Sequence, residues 1–513
     1  MILTEQQNNF ITAAGRAPRI IINAKAGTGK TSTLLENVKR SPKKKFLLIV
    51  FSKPLAVETE AKAKKMRLRN LTVKTVHSLA FSEVFANKWK VITSLKYYDL
   101  DKYDIKDHQY DTWKLFSQWM ENSDASWSVT ARRYPGHSKE AIIRANKLIK
   151  AMKKKGASVL HGFYLKAYMI RVLSNPDFTI KKYDVLLLDE AQDTSRTASA
   201  FFNHIQMKQK IKVGDTNQAI FGFLNLANEM NEKEGWEEFP LTKSFRLIKG
   251  QGTIAKSFME GVLLEPFDFE GVNPGNDKKG TACILTRTNA ALIGIFVNMI
   301  KQDKITAIKL KKKPSELYST LFDIKELVMK GKGTLTKINK ELSAYNKGLS
   351  DANKLTMSQY LISDDMREKI YEVYSSARVY FSHDWGTIIK SYHLANKLYS
   401  LKSAKVEATT GHTSKGLEWD VVKLTSDWMP LKDLVEFVIN YHYSVVNDVT
   451  KLSYKQGMKL LVEHDHIFLQ EINLIYVALT RAKYQVKGLS TLGYLDDVED
   501  VANEYIAHLR KQS

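Results

Sequence analysis

The chain of 513 residues carries 78 Lys and Arg against 55 Asp and Glu, a formal charge of +23. This surplus favours a polyanionic partner such as nucleic acid, although a generally basic surface would give the same balance. No apolar stretch reaches membrane-spanning length, and the lone Cys283 excludes an internal disulfide framework and a cysteine-based zinc site. The length indicates roughly three or four domains or subdomains. Met1–Gln6 lacks the layout of a secretory signal, so we expect a cytoplasmic protein without a membrane partner.

The first predicted strand, Ile20–Ile22, leads into a glycine-rich turn and a helix, and the turn comprises Ala24–Thr31. Such a turn directs backbone N–H groups into a concavity at a helix N-terminus, where an anion is favoured. Lys30 can reach the β- and γ-phosphates of a nucleotide, and the Thr31 hydroxyl can ligate Mg²⁺. Ala24 stands where the usual pattern has its first Gly. An ordinary tight βα turn is the alternative, which the intact Gly-Lys-Thr between strand and helix disfavours.

The following elements predict two α/β units, each interrupted by a helical stretch. Phe46–Phe51 is typical of a buried parallel strand, and residues 85–180 are rich in Lys and Trp with helical spacing. A second Lys-rich helical stretch covers 312–402. The remaining predicted strands are Val185–Leu188, Ile211–Val213, Ala282–Thr286, Val421–Leu424 and Tyr484–Lys487. The predicted fold class is therefore α/β, with parallel sheets flanked by helices and a mainly helical insertion in each unit.

Two carboxylates follow the apolar strand at 185–188. Asp189 is placed to hold Mg²⁺, directly or through water, and Glu190 to orient and deprotonate an attacking water. The alternative is an acidic helix N-cap. The next strand-end turn carries Gln218, which could sense a γ-phosphate.

Phe221 and Phe223 follow Gln218 at a spacing of two, as in a platform for stacked bases, although two Phe are more often part of a core. Arg246 and Arg481 are candidates for contact with a γ-phosphate, with an ordinary surface ion pair as the alternative for each.

In order along the chain, these segments resemble the motifs of a superfamily 1 helicase of the UvrD/Rep/PcrA type. The segments that carry the resemblance are Leu3–Gln7, Ala24–Thr31, Phe51–Lys53, Thr75–Ser78, Asp189–Asp193, Gly214–Phe223, Phe245–Arg246, Thr410–Trp419 and Glu471–Lys483. The chain is most similar to the F-box DNA helicase branch because of Ala26–Leu34 and Asn473–Lys483, although no F-box region is evident before residue 24. Ser32 replaces a common Arg, Lys243–Arg246 replaces a common Asn-Tyr-Arg-Ser, and the second insertion is short for the family.

The resemblance implies two RecA-like motor domains with ATP between them and Mg²⁺ held by Thr31 and Asp189. The implied domain ranges are 1–84 and 181–248 for the first motor domain, 85–180 for its insertion, 249–311 and 403–513 for the second motor domain, and 312–402 for its insertion. The implied nucleotide-binding residues are Gln7, Ala24, Ala26, Gly27, Thr28, Gly29, Lys30, Thr31, Ser32, Phe245, Arg246, Gly416, Glu418 and Arg481. The implied catalytic residues are Lys30, Glu190, Gln218, Arg246 and Arg481. The implied DNA-binding residues are Ser52, Lys53, Thr75, His77, Phe221, Phe223 and His412.

By position, Gln7 would read the adenine, Phe245 would stack on it, and Glu418 would help connect the Thr410–Trp419 motif to ATP. His77 and His412 have a locally hydrogen-bonded histidine as the alternative.

The implied function is an ATP-dependent DNA helicase that moves along single-stranded DNA, in the 3′→5′ direction, and acts at single-strand/duplex junctions in replication, repair or recombination. We expect a monomer with replication or recombination proteins as partners. The alternatives are a translocase that strips proteins from single-stranded DNA without efficient unwinding, and an ATP-gated binding module; an RNA substrate stays open. We interpret Lys43–Lys45 as a solvated lead-in to a strand and Lys311–Lys313 as surface charge, rather than as nuclear signals.

Overall fold

Continuous apolar runs form the centre of the first sheet in the computed structural model. Ile20–Ile22, Phe46–Val50 and Val185–Leu188 are buried along their whole length. Such runs belong to parallel strands because helices cover both faces of the sheet and leave no face for polar side chains. The structure describes residues 3–50, 52–84, 89–133, 137–180, 182–221, 226–275, 280–330, 342, 346, 354–363, 371–428 and 466–489.

The chain divides into two units, Met1–Lys243 and Ser244–Ser513. The strands of the first unit are β1 (Arg19–Ala24), β2 (Phe46–Val50), β3 (Leu71–Thr75), β4 (Lys90–Ile92), β5 (Ser158–Leu160), β6 (Val185–Leu188), β7 (Thr194–Ser195), β8 (Gln209–Gly214), β9 (Leu226–Ala227) and β10 (Glu237–Leu241). Its helices are α1 (Glu5–Ala13), α2 (Lys30–Arg40), α3 (Lys53–Lys65), α4 (Val76–Val84), α5 (Gln109–Glu121), α6 (Trp127–Arg133), α7 (Lys139–Met152), α8 (His161–Leu173) and α9 (Arg196–His204).

Six of these strands form one parallel sheet in the order β10-β1-β8-β6-β2-β3. Alternate residues of each strand enter different cores. Ile20 and Ile22 pack with α1 and α2, whereas Ile21 packs with α4, α8 and α9. The sheet is therefore covered on both faces, and the polar residues that serve a site are left to the loops at its edges.

The region between α4 and β6 is mainly helical. Its core lies around Phe116, Trp119 and Phe163, with Trp89, Trp113 and Trp127 partly buried against it. Inside this region the Lys166 ammonium is buried and donates to the Asn122 carbonyl over 2.8 Å. Burial lowers the pKa of Lys166 to about 7.

The second unit contains a second parallel sheet, in the order β14-β15-β13-β16-β17. A short strand β11 (Lys243–Ser244) lies at the division between the units, and the strands that follow are β12 (Glu270–Gly271), β13 (Ala282–Thr286), β14 (Ile308–Leu310), β15 (Val406–Thr410), β16 (Trp419–Leu424) and β17 (Ala482–Lys487). The helices are α10 (Lys249–Leu263), α11 (Asn289–Lys301), α12 (Pro314–Leu317), α13 (Ser319–Lys330), α14 (Met357–Leu361), α15 (Tyr371–Ser382), α16 (Trp385–Tyr399) and α17 (His466–Leu479). The predicted α/β class with helix-flanked parallel sheets is confirmed.

Helix α11 of the second unit shares one core with α12, α13 and α16, centred on Phe296 and Tyr318. Cys283 lies buried in β13. Burial raises the pKa of its thiol. Within the described ranges, no helix has the length and apolar character needed to cross a bilayer.

Candidate active site

Parallel pairing brings the carboxyl ends of the strands of the first sheet to one edge, where ligands of open α/β sheets bind. The loops at this edge carry the residues that the sequence singles out in the first unit. These are Ala24–Lys30 after β1, Ser52 and Lys53 after β2, His77 after β3, Asp189 and Glu190 after β6, and Gln218 after β8. Sequence-distant motifs thus share one edge because the sheet is parallel.

The turn between β1 and α2 has the backbone of a phosphate-binding loop. Gly27 and Gly29 have φ angles of 72° and 81°, which a residue with a Cβ rarely adopts. Gly29 caps α2 without a side-chain hydrogen bond, so the first N–H groups of the helix are left for an anion. Ala24 is fully buried at the end of β1. Ala26 and Thr28 are also buried, and Ser32 is half-buried in the first turn of α2.

One ion pair and one hydrogen bond to a carboxylate lie beside this turn. Lys30 Nζ is 3.5 Å from Glu190 Oε2, and the Thr31 hydroxyl donates to Asp189 Oδ2 over 2.9 Å. Burial, together with the neighbouring Glu190 carboxylate, raises the pKa of Asp189 to about 6. Two carboxylates and one ammonium therefore meet at the loop, and a cation that joined them would favour the ionised form of both acids.

The residues present fit a Mg²⁺ ion. Thr31 and Asp189 offer a hydroxyl and a carboxylate oxygen 2.9 Å apart, and Mg²⁺ prefers such hard oxygen donors together with substrate phosphates. The buried, partly destabilised Asp189 carboxylate is the charge that a divalent cation would neutralise. Bound there, the ion would supply electrostatic stabilisation of phosphate charge. The short helical turn after this strand begins at Ala191, and the residue before it, Glu190, makes no side-chain capping hydrogen bond, while Asp189 Oδ1 accepts from the Glu190 N–H over 2.9 Å.

Gln192 links the carboxylate loop to the loop after β8. Its amide nitrogen donates to Glu190 Oε2 over 2.6 Å, and its oxygen accepts from the Asp215 N–H over 3.1 Å. A Cβ on Gly214 would lie 2.5 Å from that oxygen, so a larger residue at the end of β8 would displace the Gln192 side chain. Gln218 is buried and donates to Asp215 Oδ2 over 2.7 Å. A hydrogen-bonded chain thus runs from Glu190 to Gln218.

Gln7 lies on α1 and is almost fully buried. Its side-chain oxygen accepts from the Thr4 N–H, and its nitrogen donates to the Thr33 hydroxyl over 2.8 Å. Thr33 in turn donates to the Gly29 carbonyl of the phosphate-binding loop over 2.9 Å. The predicted adenine-reading residue is therefore tied to that loop through Thr33.

The predicted nucleic-acid residues of the first unit lie along the same sheet edge. Ser52 caps α3, the Lys53 side chain is exposed, and Thr75 Oγ1 accepts from the Ser78 N–H over 3.1 Å. Phe221 is half-buried, and Phe223 lies outside the described residues, as does Phe51.

His77 packs against α8. Its ring centroid lies 5.9 Å from that of His161 and 5.8 Å from that of Tyr164. Desolvation and the nearby His161 lower the pKa of His77, which keeps its imidazole neutral at pH 7. An insertion helix therefore supplies aromatic neighbours to a residue at the sheet edge.

In the second unit, three predicted nucleotide residues lie at the amino-terminal edge of the sheet. Arg246 Nε is 2.8 Å from Glu418 Oε2, and the buried Arg481 donates to the Val477 and Leu417 carbonyls. Lys483 lies 2.9 Å from the other Glu418 oxygen. Burial would raise the pKa of Glu418, but Arg246 and Lys483 outweigh it and hold that pKa below its usual range.

Two predicted nucleotide-binding residues, Phe245 and Gly416, lie close in sequence to this cluster. Phe245 is 41% exposed, so its ring is available for stacking. Gly416, with a φ of 84°, turns the chain ahead of Glu418.

The opposite, carboxyl-terminal edge of this sheet carries a second charged cluster. Arg287 pairs with Glu471 through two hydrogen bonds, and Asp427 accepts from the Thr288 N–H over 2.7 Å. Burial, Arg287 and Lys312 lower the pKa of His412 to about 3. A neutral histidine and several cations therefore share this edge.

Lys311 and Lys312, which we interpreted together with Lys313 as surface charge, are half-buried. Lys311 pairs with Glu407 over 2.9 Å, and Lys312 donates to Asn289 Oδ1 over 2.6 Å. Both follow β14 directly, so the sheet edge turns them inward. In contrast, Lys43 and Lys45 are exposed ahead of β2.

Sequence reasoning missed Arg287, Asn289, Lys312, Gln192 and Thr33. Arg287 and Asn289 directly follow the predicted strand Ala282–Thr286, so the rule that polar residues gather after parallel strands could have found them. Thr33 and Gln192 act through side-chain bonds to distant residues, and no local pattern signals such bonds.

The fold and this site define a P-loop protein with a nucleotide-binding first unit. The family model described as "AAA domain" matches residues 7–224, and the family model described as "UvrD-like helicase C-terminal domain" matches residues 192–486. The chain is 25% identical over 542 aligned positions to F-box DNA helicase protein 1 of Schizosaccharomyces pombe, covering 94% of this chain and 56% of that protein. It is 28% identical over 276 positions to F-box DNA helicase 1 of Gallus gallus (48% and 26% of the two chains). It is 43% identical over 82 positions to RecBCD enzyme subunit RecB of Haemophilus influenzae (16% and 7%).

The chain spans little more than half the length of the first of these relatives. The helicase description covers more than half of the chain, so the chain belongs to the UvrD-like superfamily 1 helicases, near the F-box DNA helicase branch. The enzyme class of this family is the ATP-dependent DNA helicase, and its motor domains are RecA-like.

Proposed function

We propose that this chain hydrolyses ATP to move along single-stranded DNA and to unwind duplex DNA ahead of it. The observation that carries the proposal is the convergence of Lys30, Thr31, Asp189 and Glu190 on one phosphate-binding loop. A module that only bound nucleotide would need no base beside the metal-binding carboxylate. The complete hydrolytic set therefore favours a motor over an ATP-gated binding module.

In the proposed reaction, the loop N–H groups and Lys30 bind the β- and γ-phosphates, and Glu190 takes a proton from the attacking water. Gln192 orients Glu190 through its amide nitrogen. Through its amide oxygen it also connects Glu190 to the loop that carries Gln218. We propose that Arg246 and Arg481 act on the terminal phosphate, that Phe245 and Gln7 bind the adenine, and that Gly416 and Glu418 support Arg246.

The Thr410–Trp419 motif supports the coupling of hydrolysis to movement. It leaves β15 at the carboxyl-terminal edge, where His412 lies beside the cationic cluster, and enters β16 at the opposite edge, where Glu418 holds Arg246. One short segment thus reaches both edges of the sheet. We propose that its shift with nucleotide state changes the grip on DNA at His412.

The DNA surface we propose follows the carboxyl-terminal strand ends of each sheet, with Ser52, Lys53, Thr75, His77, Phe221 and Phe223 in the first unit and His412 in the second. Lys and Arg contacts to phosphates would dominate the affinity, which is then strongly salt-dependent and weakly sequence-dependent. We propose replication, repair or recombination as the process, cytoplasm as the location and a monomer as the working state.

Lys30→Ala tests the proposal. It should abolish ATP hydrolysis stimulated by single-stranded DNA and leave the binding of single-stranded DNA largely intact, because Lys30 lies at the nucleotide loop. Hydrolysis close to that of the unaltered protein would contradict the assignment.

The direction and the unwinding need a second assay with 3′-tailed, 5′-tailed and blunt duplexes, each with an ATP-free control. Unwinding of the 3′-tailed duplex alone supports a 3′→5′ helicase. ATP hydrolysis without unwinding of any of them supports the translocase that strips bound proteins.

A further inference from the structure

A basic groove of about 600 Å³ lies at the amino-terminal edge of the first sheet, opposite the edge that carries the nucleotide loop. It runs between the ends of α2 and α3 and the starts of β2, β3 and β6. Six cationic side chains line it: Lys39, Lys43, Lys45, Arg67, Arg69 and Lys182. This groove has no part in the proposed ATP or DNA chemistry.

All six cationic side chains are exposed, and none forms an ion pair with a carboxylate in the described part of the chain. Their neighbours behave differently. Arg40 on α2 pairs with Glu36 over 3.3 Å, and Lys62 on α3 pairs with Glu58 over 2.7 Å. The groove therefore gathers six cations that have no carboxylate partner among the described residues, which favours an anionic occupant.

The basic groove is held open by one side chain. The amide nitrogen of Asn70 lies 3.0 Å from the carbonyl oxygens of Ser41 and Lys44 and 3.3 Å from that of Val38. These bonds fix the end of α2 and the segment that follows it to the start of β3. A surface held in this way needs little reordering when a partner binds.

The backbone at Arg67, which lines the groove, has a left-handed conformation. Arg67 has a φ of 57°, in the left-handed region that costs a residue with a side chain about 1–2 kcal/mol. Its N–H donates to the Lys64 carbonyl, and the Leu68 N–H to the Ala63 carbonyl, as in a helix end where glycine is preferred. Glycine in place of Arg67 would therefore suit the backbone at this position.

The basic groove also contains an apolar portion formed by Pro42, Met66, Leu68 and Tyr183. A peptide that alternates acidic and apolar side chains can use both the cations and this portion. Stacked bases of a single strand need a series of aromatic faces. The lining offers only the half-buried ring of Tyr183, with the Lys182 ammonium 5.8 Å from its centroid.

We propose that the basic groove is a docking site for an acidic, apolar-anchored peptide segment of a partner protein. A smaller hollow of about 360 Å³ shares Lys43 with the groove, but Asp184 also lines it and pairs with Lys208 over 2.9 Å. Because the site lies at the edge opposite the nucleotide loop, docking leaves ATP binding unobstructed.

The test uses a short fluorescein-labelled peptide that alternates Asp with Leu, titrated with the full chain in a fluorescence anisotropy assay. The same peptide with Asn in place of Asp is the charge control, and an unlabelled thymidine oligonucleotide is the competitor. We expect saturable binding that the Asn peptide lacks and that the oligonucleotide does not displace. No saturable binding, or displacement by the oligonucleotide, overturns the proposal, and the second result would assign the groove to nucleic acid.

Arg67→Gly separates binding from folding. Glycine suits the backbone at this position, so the melting temperature should stay the same or rise, while the Kd for the peptide increases about two- to fivefold. The double variant Lys45→Glu/Arg69→Glu should increase the Kd at least about tenfold. Lys62→Ala, on α3 but outside the groove, is the matched control and should change nothing. Peptide affinity that is the same in all four proteins refutes the site.

These variants also keep the docking proposal distinct from the proposed function. We expect DNA-stimulated ATP hydrolysis to be unchanged in Arg67→Gly and in the double variant, because the nucleotide loop lies at the opposite sheet edge. A chain without ATPase activity could still bind the peptide, and a chain with full activity could fail to bind it.

Discussion

Glu190→Gln removes the charge of the proposed general base with little change in shape. The carboxyl oxygen lies 3.5 Å from Lys30 Nζ and accepts from the Gln192 amide over 2.6 Å. The oxygen of the new amide can still accept that bond. The side chains of Lys30 and Glu190 are only 12% and 25% exposed, so solvent screens the interaction between their charges only in part. The substitution therefore tests chemistry rather than folding.

Two effects of opposite sign follow from this geometry. Loss of a general base costs about 10²–10⁴ in rate, or about 2.7–5.5 kcal/mol in the barrier to hydrolysis. Loss of the Glu190 carboxylate next to Lys30 also removes its repulsion of the ATP phosphates. After solvent screening, the binding free energy of ATP becomes more favourable by about 1 kcal/mol, so the Kd for ATP should fall by up to about fivefold. Hydrolysis should thus collapse while ATP binding holds or improves.

Phosphate release is measured with saturating single-stranded DNA, and ATP affinity is measured with a fluorescent ATP analogue. Glu237→Gln is the matched control. Glu237 lies on β10 and pairs with Arg16 at the surface, so this substitution should leave hydrolysis unaltered. Hydrolysis by Glu190→Gln within about threefold of the unaltered protein would refute the role of Glu190, because a general base contributes far more than that.

Thr33→Val leaves the buried Gln7 nitrogen without its acceptor. It should therefore lower the free energy of unfolding or the ATP affinity by about 1–3 kcal/mol. An unchanged melting temperature together with an unchanged KM for ATP would contradict this expectation. Lys53→Ala should weaken binding of single-stranded DNA irrespective of sequence and reduce the slope of log K against log salt by about one, whereas Lys62→Ala on the same helix should leave both values unaltered. Lys166 has a folded-state pKa of about 7, which is below the pKa of the same side chain in the unfolded chain. Above pH 7 the unfolded chain therefore binds more protons than the folded chain. The melting temperature should rise as the pH increases from 7 toward 10. Lys166→Met should flatten that rise, and an equal pH dependence in both proteins would show that Lys166 is not its source.

Local pattern was sufficient for much of the molecule. Ile20–Ile22 and Val185–Leu188 predict strands because apolar residues fill every position, and the structure places β1 and β6 there. The turn Ala24–Thr31 predicts an anion site because glycine spacing and a following helix are properties of neighbouring residues. Local pattern also predicted the apolar strand that the structure places at Phe46–Val50 and the helices of the Trp-containing region between α4 and β6.

The sequence by itself determined the most apolar strands and the phosphate loop, because each depends on residues close together in the chain, and the order of its motifs indicated the family. Only the tertiary structure decided which distant side chains meet. Gln7 reaches Thr33 across 26 positions, and Arg287 reaches Glu471 across 184. It also decided that Lys312 lies at a sheet edge rather than on the open surface. Such contacts follow from strand order and parallel pairing, which bring together loops that no local periodicity connects.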